Sequence, residues 1–203
     1  MIEFYTGTPG SGKSAHLMKD IQEYANKGRT VVANFPLCKR PLLAAKSFRF
    51  HYVDTFEITP RFLRDNARDF STGREDSALL IIDEAQLLFN SRTWHDSDRA
   101  EWVAFFTQHR KLGYRVILVT QSIEMVDKQV RALAEYNVSH RKPGNFGIGG
   151  RMISLFFLNR AFVTVTTWPL GKVRLGSGMF ILTPERAAMY DTSRLMDEAP
   201  HTP

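Results

Sequence analysis

The stretch that decides the fold is Gly7-Thr8-Pro9-Gly10-Ser11-Gly12-Lys13-Ser14, which matches the phosphate-binding pattern G-x-x-x-x-G-K-[ST] at every fixed position. Residues 2–6 before it predict a β-strand, and residues 15–26 after it predict a helix. On such a strand-to-helix turn, successive backbone N–H groups can surround a polyphosphate, and the helix N-terminus favours an anion. The sequence therefore predicts a bound nucleoside triphosphate; the alternative is a glycine-rich turn with an incidental lysine.

Two side chains of this loop have predicted chemical roles. Lys13 is expected to contact the β- and γ-phosphates and is counted among the catalytic residues. Ser14 is expected to offer its hydroxyl to Mg²⁺, which needs hard oxygen ligands. The glycines allow backbone conformations that a side chain would obstruct. The predicted nucleotide-binding residues are Gly7, Thr8, Pro9, Gly10, Ser11, Gly12, Lys13, Ser14 and Ala15.

The acidic half of the predicted site follows the apolar run at residues 78–82. A continuous apolar run of this length is typical of a strand buried inside a parallel sheet. Asp83 and Glu84 stand at its carboxyl end, which is the Walker B arrangement. Asp83 is predicted to hold Mg²⁺, directly or through water. Glu84 is predicted to be the general base for the attacking water; alternatively, it only begins the next loop.

A third candidate, Gln121, ends the next predicted strand at residues 115–120. If this strand lies between the phosphate-loop strand and the strand that ends at Asp83, Gln121 would face the γ-phosphate and position the water. Otherwise Gln121 is only a polar strand end. Phosphoryl transfer often needs an arginine as well, in some proteins from a neighbouring subunit. The candidates, among which the sequence does not choose, are Arg110, Arg131 and Arg141.

Length and composition fit one α/β domain with a full core, because the chain has 203 residues, of which 43% are hydrophobic and 24% charged. The sequence has neither a run of about 18 apolar residues nor a secretory signal. A single cysteine, Cys38, suits a reducing compartment and is interpreted as a packing residue. The net charge of +6 is compatible with nucleic acid, an anionic membrane surface or a soluble basic protein. The basic runs at 109–111 and 140–142 are interpreted as helix caps or solvated edges.

Helical patterns alternate with short apolar runs, which predicts a mainly parallel sheet in a three-layer α/β/α arrangement. The P-loop domain is expected to span residues 1–185, and a polar tail residues 186–203. Within the domain, the other expected segments are an irregular excursion at 36–77, helices at 99–111 and 123–134, and a β-rich extension at 144–182 that begins with a glycine-rich turn.

Four motifs together resemble the Zot family, the amino-terminal ATPase domain of zonula occludens toxin and of related filamentous-phage assembly proteins. They are GTPGSGKS at residues 7–14, IIDEAQ at 81–86, HRKLG at 109–113 and TQS at 120–122. The first motif and the acidic pair are shared by P-loop ATPases in general. The combination of the last three motifs is more specific, and the similarity covers roughly residues 1–185.

The resemblance implies an additional-strand, catalytic-glutamate P-loop ATPase that uses ATP with Mg²⁺ and acts as a homo-oligomer. Members of this family are inner-membrane proteins of filamentous phage, with this domain on the cytoplasmic face, a single transmembrane helix after it and a periplasmic segment last. They are thought to power phage assembly and extrusion together with other phage assembly proteins, on single-stranded DNA or coat protein. This chain stops before such a helix, so it is expected to be the cytoplasmic domain, and no toxin activity is assigned to it.

The sequence is compatible with three functions. The leading hypothesis is an oligomeric motor that couples Mg·ATP hydrolysis to the movement of phage DNA or coat protein. A nucleotide-gated binding module would use ATP to order an interface without significant turnover. A small-molecule kinase is disfavoured by Glu84, because transfer to a substrate hydroxyl needs no water-activating base.

Overall fold

The fold is described from a computed structural model, for residues 1–90, 96–142, 160–171 and 173–190. Its strands are β1 (Ile2–Thr6), β2 (Thr30–Ala33), β3 (Arg49–Tyr52), β4 (Ala78–Ile82), β5 (Tyr114–Val119), β6 (Tyr136–Arg141), β7 (Ala161–Trp168) and β8 (Val173–Ile181). Its α-helices are α1 (Lys13–Asn26), α2 (Pro60–Asp65), α3 (Ala67–Phe70), α4 (Asp96–Gln108), α5 (Lys128–Leu133) and α6 (Pro184–Ala187). Short 3₁₀ turns occur at Ala85–Leu87 and Ile123–Met125.

The eight described strands form one sheet in the order β3-β2-β4-β5-β1-β6-β7-β8. Neighbours from β3 to β6 are parallel, whereas β7 pairs antiparallel with both β6 and β8. The strand β5 lies between β1, which leads into the phosphate loop, and β4, which ends at Asp83. The expected fold is therefore confirmed: a P-loop α/β/α arrangement with a mainly parallel sheet, an additional strand and an antiparallel β extension.

Helices cover both faces of the sheet, and β4 serves both layers. All five residues of β4 are buried. Leu80 and Ile82 pack in the layer that contains α2 to α5, while Leu79 and Ile81 pack in the layer that contains α1. Each fully buried Leu or Ile side chain stabilises the fold by about 1.5–3 kcal/mol, and β4 contributes four of them, two to each layer. This strand therefore forms the centre of the core.

A buried ionic network joins α1 to the sheet. The guanidinium of Arg115 on β5 lies 2.6 Å from Glu3 on β1 and 3.3 Å from Asp20 on α1. The hydroxyl of Tyr5 donates to the second carboxylate oxygen of Asp20 at 2.7 Å. Since α1 begins directly after the phosphate loop, this network fixes the loop relative to β1 and β5.

Residues 36–77 are more regular than the sequence suggested. The strand β3 lies within them and pairs in parallel with β2 at the edge of the sheet, where His51 is level with Val32. An edge strand is partly exposed, which is compatible with its basic and aromatic residues. The helix α2 begins after Thr59, whose hydroxyl accepts a hydrogen bond from the Phe62 N–H at 3.1 Å. The interpretation as an irregular excursion is therefore wrong for β3.

Two further elements differ from the sequence-based prediction. The single helix expected at residues 123–134 is divided, because Asp127 accepts a hydrogen bond from the Gln129 N–H at 2.8 Å and begins α5 after a 3₁₀ turn. The strand β6 was not predicted at all, since polar Asn137 and Ser139 interrupt its apolar pattern. This strand pairs with β1 and lies directly beside the phosphate loop.

The end of the described chain packs against the domain. Residues 186–190, which the sequence assigned to the polar tail, include Met189, which is only 1% exposed. The Met189 carbonyl accepts a hydrogen bond from the Cys38 N–H at 2.9 Å. The expected glycine-rich turn at 144–150 and residues 191–203 of the expected tail lie outside the described residues. Among the residues that are described, no helix has the length and apolar character needed to cross a membrane.

Candidate nucleotide-binding site

The loop between β1 and α1 has a backbone shape that requires glycine at two positions. Gly7 has a φ of 141° and Gly12 a φ of 104°. A Cβ atom on Gly7 would lie 2.7 Å from the carbonyl oxygen of His140, and one on Gly12 would overlap the ring of Phe162. Both approaches are too close for any side chain, so β6 and β7 fix the curvature of the loop.

This loop offers donors that fit an anion. The helix α1 begins at Lys13 without an acidic residue in its first turn and without a side-chain cap. The first N–H groups of a helix have no acceptor within the helix and carry its positive dipole end. The hydroxyl of Ser11 is also buried and has no hydrogen-bond partner among the described residues. A phosphate group would satisfy both kinds of donor.

Lys13 folds back over the loop. Its ammonium group donates to the carbonyl of Gly7 at 2.7 Å and to that of Thr8 at 3.4 Å. Burial lowers the pKa of Lys13, while the charges of Asp83 and Glu84 act in the opposite direction. The lysine is therefore in electrostatic contact with the acidic pair predicted after β4.

Asn34 clamps the backbone of Asp83. Its side-chain amide donates to the Asp83 carbonyl at 2.9 Å and accepts from the Asp83 N–H at 2.6 Å. The same amide nitrogen donates to the hydroxyl of Thr55 at 3.0 Å. The sequence reasoning missed Asn34, although a polar residue directly after the buried strand β2 was a signal for it.

The carboxylate of Asp83 is held by one donor on each oxygen. The Glu84 N–H donates to Oδ1 at 2.9 Å, and the hydroxyl of Tyr190 donates to Oδ2 at 3.4 Å. Burial raises the pKa of Asp83 to about 6. A buried carboxylate with a fixed orientation is the type of group that the sequence predicted for a Mg²⁺ ligand.

Glu84 has a strained backbone. Its φ of 48° and ψ of 48° lie in the left-handed region, which is uncommon for a residue other than glycine. The side-chain amide of Gln86 donates to Glu84 Oε2. Strain of this kind is concentrated at functional sites, where surrounding contacts hold it. Here the strain and Gln86 together give the carboxylate one defined position after β4.

Gln121 stands at the end of β5, and the condition for its predicted role is met because β5 lies between β1 and β4. Its backbone carbonyl accepts a hydrogen bond from the Gly7 N–H at 3.3 Å. Its side chain is exposed and lines a cleft of about 540 Å³ beside the phosphate loop. The role of its side chain toward a γ-phosphate stays a prediction.

The candidate arginines lie in different places. Arg110 forms an ion pair with Glu135 at 2.7 Å, and the Glu135 N–H donates to the Ile2 carbonyl. Since Ile2 begins β1, this ion pair lies at the opposite end of β1 from the phosphate loop. Arg131 lies 3.9 Å from Glu124. Arg141 lines the same cleft as Gln121.

Lys142 is a cation that the sequence reasoning did not assign to the site. Its ammonium nitrogen lies 3.4 Å from the position that a Cβ atom would occupy on Gly10. Lys142 directly follows β6, and β6 pairs with β1 beside the loop. Because β6 was not predicted from the sequence, the position of Lys142 was not predicted either. A second lysine therefore lies against the phosphate loop beside Lys13.

A pair of histidines lies beneath the loop, of which His140 is buried and His16 is half-buried. His16 Nδ1 and His140 Nε2 are 2.9 Å apart, and the His16 ring is stacked between Tyr5 and Phe180. His140 is 2% exposed and His109 is 5% exposed, so neither histidine lies on a solvated edge. His109 Nδ1–H instead donates to the carbonyl of Phe106 in the last turn of α4, which agrees with the helix-cap alternative for that run. Burial lowers the pKa of His16 to about 3 and that of His140 to about 4.

These lowered pKa values predict a loss of stability in acid. Below the ordinary histidine pKa of 6.5, the unfolded chain takes up protons that the folded chain excludes, so stability present above pH 6.5 is lost as the pH falls. One such histidine corresponds to about 2 kcal/mol at pH 5. We expect the His16→Phe variant to lose about 2 kcal/mol less free energy of unfolding than the wild type between pH 7 and pH 5, as measured by urea denaturation. An equal loss in the His16→Phe variant and the wild type would contradict the prediction. His51→Phe is the comparison variant: burial lowers the pKa of His51 as well, but by less than that of His16, so its effect should be smaller.

A glycine loop after β1, an acidic pair after β4 and a strand between the two define the fold of a P-loop NTPase with an additional strand. The chain matches a sequence family over residues 1–174, and that family is described as Zonular occludens toxin (Zot). The chain belongs to the Zot family, as its four motifs suggested.

Its relatives include phage proteins named Gene 1 protein. The one from Enterobacteria phage I2-2 is 33% identical over 181 residues, which cover 84% of this chain and 47% of the relative. The one from Enterobacteria phage fd is 31% identical over 190 residues, which cover 86% of this chain and 50% of the relative. The chain thus spans about half the length of the curated relatives it matches.

Solved structures show the same fold. The N-terminal domain of zonular occludens toxin from Neisseria meningitidis has a TM-score of 0.56 at 17% identity and covers 94% of this chain and 98% of its own. The genome packaging NTPase B204 from Sulfolobus turreted icosahedral virus 2, in complex with ATP-gammaS, has a TM-score of 0.53 at 18% identity, with 90% and 96% covered. The DNA-packaging ATPase B204 from Sulfolobus turreted icosahedral virus has a TM-score of 0.53 at 17% identity, with 90% and 97% covered.

Proposed function

We propose that this chain is an Mg·ATP-hydrolysing motor domain of a Zot-family phage assembly protein. The observation that carries the proposal is the place of Asp83 and Glu84 relative to the phosphate loop. The phosphate loop follows β1 and the two carboxylates follow β4, and β5 pairs in parallel with both strands, so the two halves of the site lie at the same edge of the sheet. They lie at the carboxyl edge of the parallel strands, where open α/β sheets bind their ligands.

Ser14 and Asp83 are the residues that would hold Mg²⁺. Tyr190 supports this assignment, because its hydroxyl donates to Asp83 Oδ2 at 3.4 Å and the side chain of Ser14 lies near enough to act on the pKa of the same hydroxyl. One hydroxyl and one carboxylate leave room for the waters and phosphate oxygens that Mg²⁺ prefers. When bound, the ion would neutralise charge that develops on the β- and γ-phosphates.

The remaining residues have distinct roles in this proposal. Residues 7–15 surround the phosphates through their backbone N–H groups, and Lys13 leaves its carbonyl partners to contact the β- and γ-phosphates. Glu84 accepts a proton from the attacking water. Gln121 orients that water from the end of β5. Lys142 adds positive charge beside Gly10.

The proposed motor acts as a homo-oligomer, in which an arginine of one subunit completes the site of its neighbour. Arg110 lies too far along the strands to reach the phosphate loop of its own subunit, so it is a candidate only for a neighbouring site. Arg131 lies 3.9 Å from Glu124, which lines the cleft beside the loop, so it stays a candidate for either site. Arg141 lines the cleft beside Gly7 and is the candidate within the same subunit.

The cellular role is inferred from the family. We propose that the protein powers filamentous-phage assembly and extrusion from the cytoplasmic face of the bacterial inner membrane, with other phage assembly proteins as partners. A transmembrane helix outside this chain would anchor it. The cargo would be phage single-stranded DNA or coat protein, and the fold that this chain shares with a genome packaging NTPase is compatible with the former.

Phosphate release from Mg·ATP, measured over a range of protein concentrations, tests the proposal. Turnover per chain should rise steeply with concentration, because a site completed by a neighbouring subunit is active only in the oligomer. Absence of turnover at every concentration would contradict hydrolysis by this chain and would favour the nucleotide-gated binding module.

We expect Lys13→Ala to weaken Mg·ATP binding by about tenfold to a hundredfold, since a charged hydrogen bond contributes about 1.5–3 kcal/mol. Equilibrium titration with a fluorescent ATP analogue measures the change. The matched control is Lys19→Ala, which removes an exposed lysine from the same helix, where it pairs with Glu23. Equal affinity of the Lys13→Ala variant and the wild type would contradict the phosphate-loop assignment.

A further inference from the structure

The described chain ends in a docked segment, residues 182–190, which we call the C-terminal strap. At its start, the Leu182 N–H donates to the carbonyl of Arg160 at 2.9 Å. Near its end, Met189 is buried in the same core layer as α1, and its carbonyl accepts from the Cys38 N–H. The strap is therefore held at both ends, and its last residue, Tyr190, has a defined position.

Tyr190 brings the strap to the candidate magnesium site. Its ring packs edge-on against Phe35, with the ring centroids 5.2 Å apart. Its hydroxyl donates to Asp83 Oδ2 at 3.4 Å, and the side chain of Ser14 lies near enough to act on the pKa of this hydroxyl. The tyrosine thus contacts Asp83 directly and lies near Ser14, from a part of the chain 107 positions beyond Asp83.

The contact restricts the carboxylate of Asp83. Because Oδ1 already accepts the Glu84 N–H, the Tyr190 hydroxyl on Oδ2 removes the remaining freedom of the group to rotate. Each carboxylate oxygen has two acceptor positions, so Oδ2 can accept the hydroxyl and still face a cation. Partners of this kind orient a metal ligand without binding the metal.

We propose that Tyr190 is a positioning residue that couples docking of the C-terminal strap to occupation of the magnesium site. The inference rests on the proposed function, since it assumes that Ser14 and Asp83 hold Mg²⁺ with a nucleotide. Coupling between two sites is reciprocal. Undocking of the strap should weaken Mg²⁺-dependent nucleotide binding, and Mg·ATP should in turn stabilise the docked strap.

The first test compares ATP affinity of the wild type and Tyr190→Phe, in Mg²⁺ and in excess EDTA. Phenylalanine keeps the packing on Phe35 and removes only the hydroxyl. We expect about tenfold weaker binding in Mg²⁺, as for other partners of metal ligands, and equal binding in EDTA. Tyr24→Phe is the matched control, because it removes a hydroxyl that donates to Asp76, outside the site. Equal affinities in Mg²⁺, or the same loss in both conditions, would overturn the proposal.

The second test follows the strap itself by amide hydrogen exchange. The Cys38 N–H reports docking, because it donates to the Met189 carbonyl. Mg·ATP should slow exchange at the Cys38 N–H in the wild type and should slow it less in Tyr190→Phe. ATP in EDTA should leave this exchange unchanged in both proteins. Equal slowing by Mg·ATP in both proteins would overturn the coupling. A wild type that binds no nucleotide would overturn the proposed function and this inference with it. A wild type that binds Mg·ATP while Tyr190→Phe behaves identically would overturn the inference alone.

Discussion

Replacing Glu84 by glutamine is expected to lower the rate of phosphate release by at least about a hundredfold while Mg·ATP affinity stays within about threefold. A general base contributes about 10²–10⁴ in rate, and an amide cannot accept the proton of the attacking water. Phosphate binding depends on residues 7–15, which the substitution does not touch. This variant should therefore bind Mg·ATP almost as tightly as the wild type but release phosphate far more slowly.

In this structure, the substitution removes the proton acceptor without disturbing the contacts around residue 84. Glutamine has the size and shape of glutamate, so the left-handed backbone at residue 84 and the packing around it are kept. Gln86 donates to Glu84 Oε2, and the carbonyl oxygen of the new amide can accept the same hydrogen bond. Loss of turnover would then reflect the missing proton acceptor rather than a displaced loop.

The measurement is steady-state phosphate release at saturating Mg·ATP, at a protein concentration where the wild type has its highest turnover per chain. Glu124→Gln is the matched control, because this exposed glutamate lines the cleft beside the phosphate loop and its loss is expected to leave turnover unchanged. Undiminished release by Glu84→Gln would place the base elsewhere. If the wild type assembles with ATP but shows no turnover above this variant, the protein is a nucleotide-gated module.

Local sequence was sufficient to predict the centre of the candidate site. The spacing of Gly7, Gly12 and Lys13 lies within one turn and is recorded directly by a motif, although distant strands supply the close approaches that require the two glycines. The apolar run before Asp83 likewise predicted a central strand, and β4 is buried throughout. The predicted role of Gln121 depended on one non-local condition, the position of β5 between β1 and β4. The sheet order meets that condition, and the role itself stays a prediction.

The parts that could not be predicted depend on contacts between distant residues. Asn34 and Asp83 are 49 positions apart, and Tyr190 and Asp83 are 107 apart, so neither partner forms a motif with the aspartate. His140 has the sequence environment of a surface histidine, next to Arg141 and Lys142. It is buried because β6 pairs with β1, and that pairing follows from the whole sheet rather than from the residues around it.

Replacing Arg115 by methionine is expected to lower the free energy of unfolding by about 3–5 kcal/mol, because it leaves two buried carboxylates without their counter-charge. The side chains of Glu3 and Asp20 are 10% and 6% exposed, so water does little to compensate. Methionine keeps most of the apolar volume of the arginine stem, which limits the cavity contribution. Urea denaturation followed by circular dichroism measures the loss.

Arg110→Met is the control, because it removes an ion pair that is exposed rather than buried. Arg110 also binds a glutamate, Glu135, but its side chain is 52% exposed, and exposed pairs contribute about 0–1 kcal/mol. Equal losses in Arg110→Met and Arg115→Met would contradict the argument from burial.

The pH dependence gives a second check on Arg115→Met. Burial raises the pKa of both Glu3 and Asp20, and Arg115 opposes this shift, so its removal raises both pKa values further. A carboxyl group with a raised pKa in the folded state favours folding while it is protonated, and this contribution is lost as the pH rises through that pKa. The deficit of Arg115→Met relative to the wild type should therefore be smaller at about pH 5 than at about pH 8. A deficit that stays constant over this range would mean that the two carboxylates stay ionised and become solvated in the variant, and that the network does not hold α1 and its phosphate loop by charge.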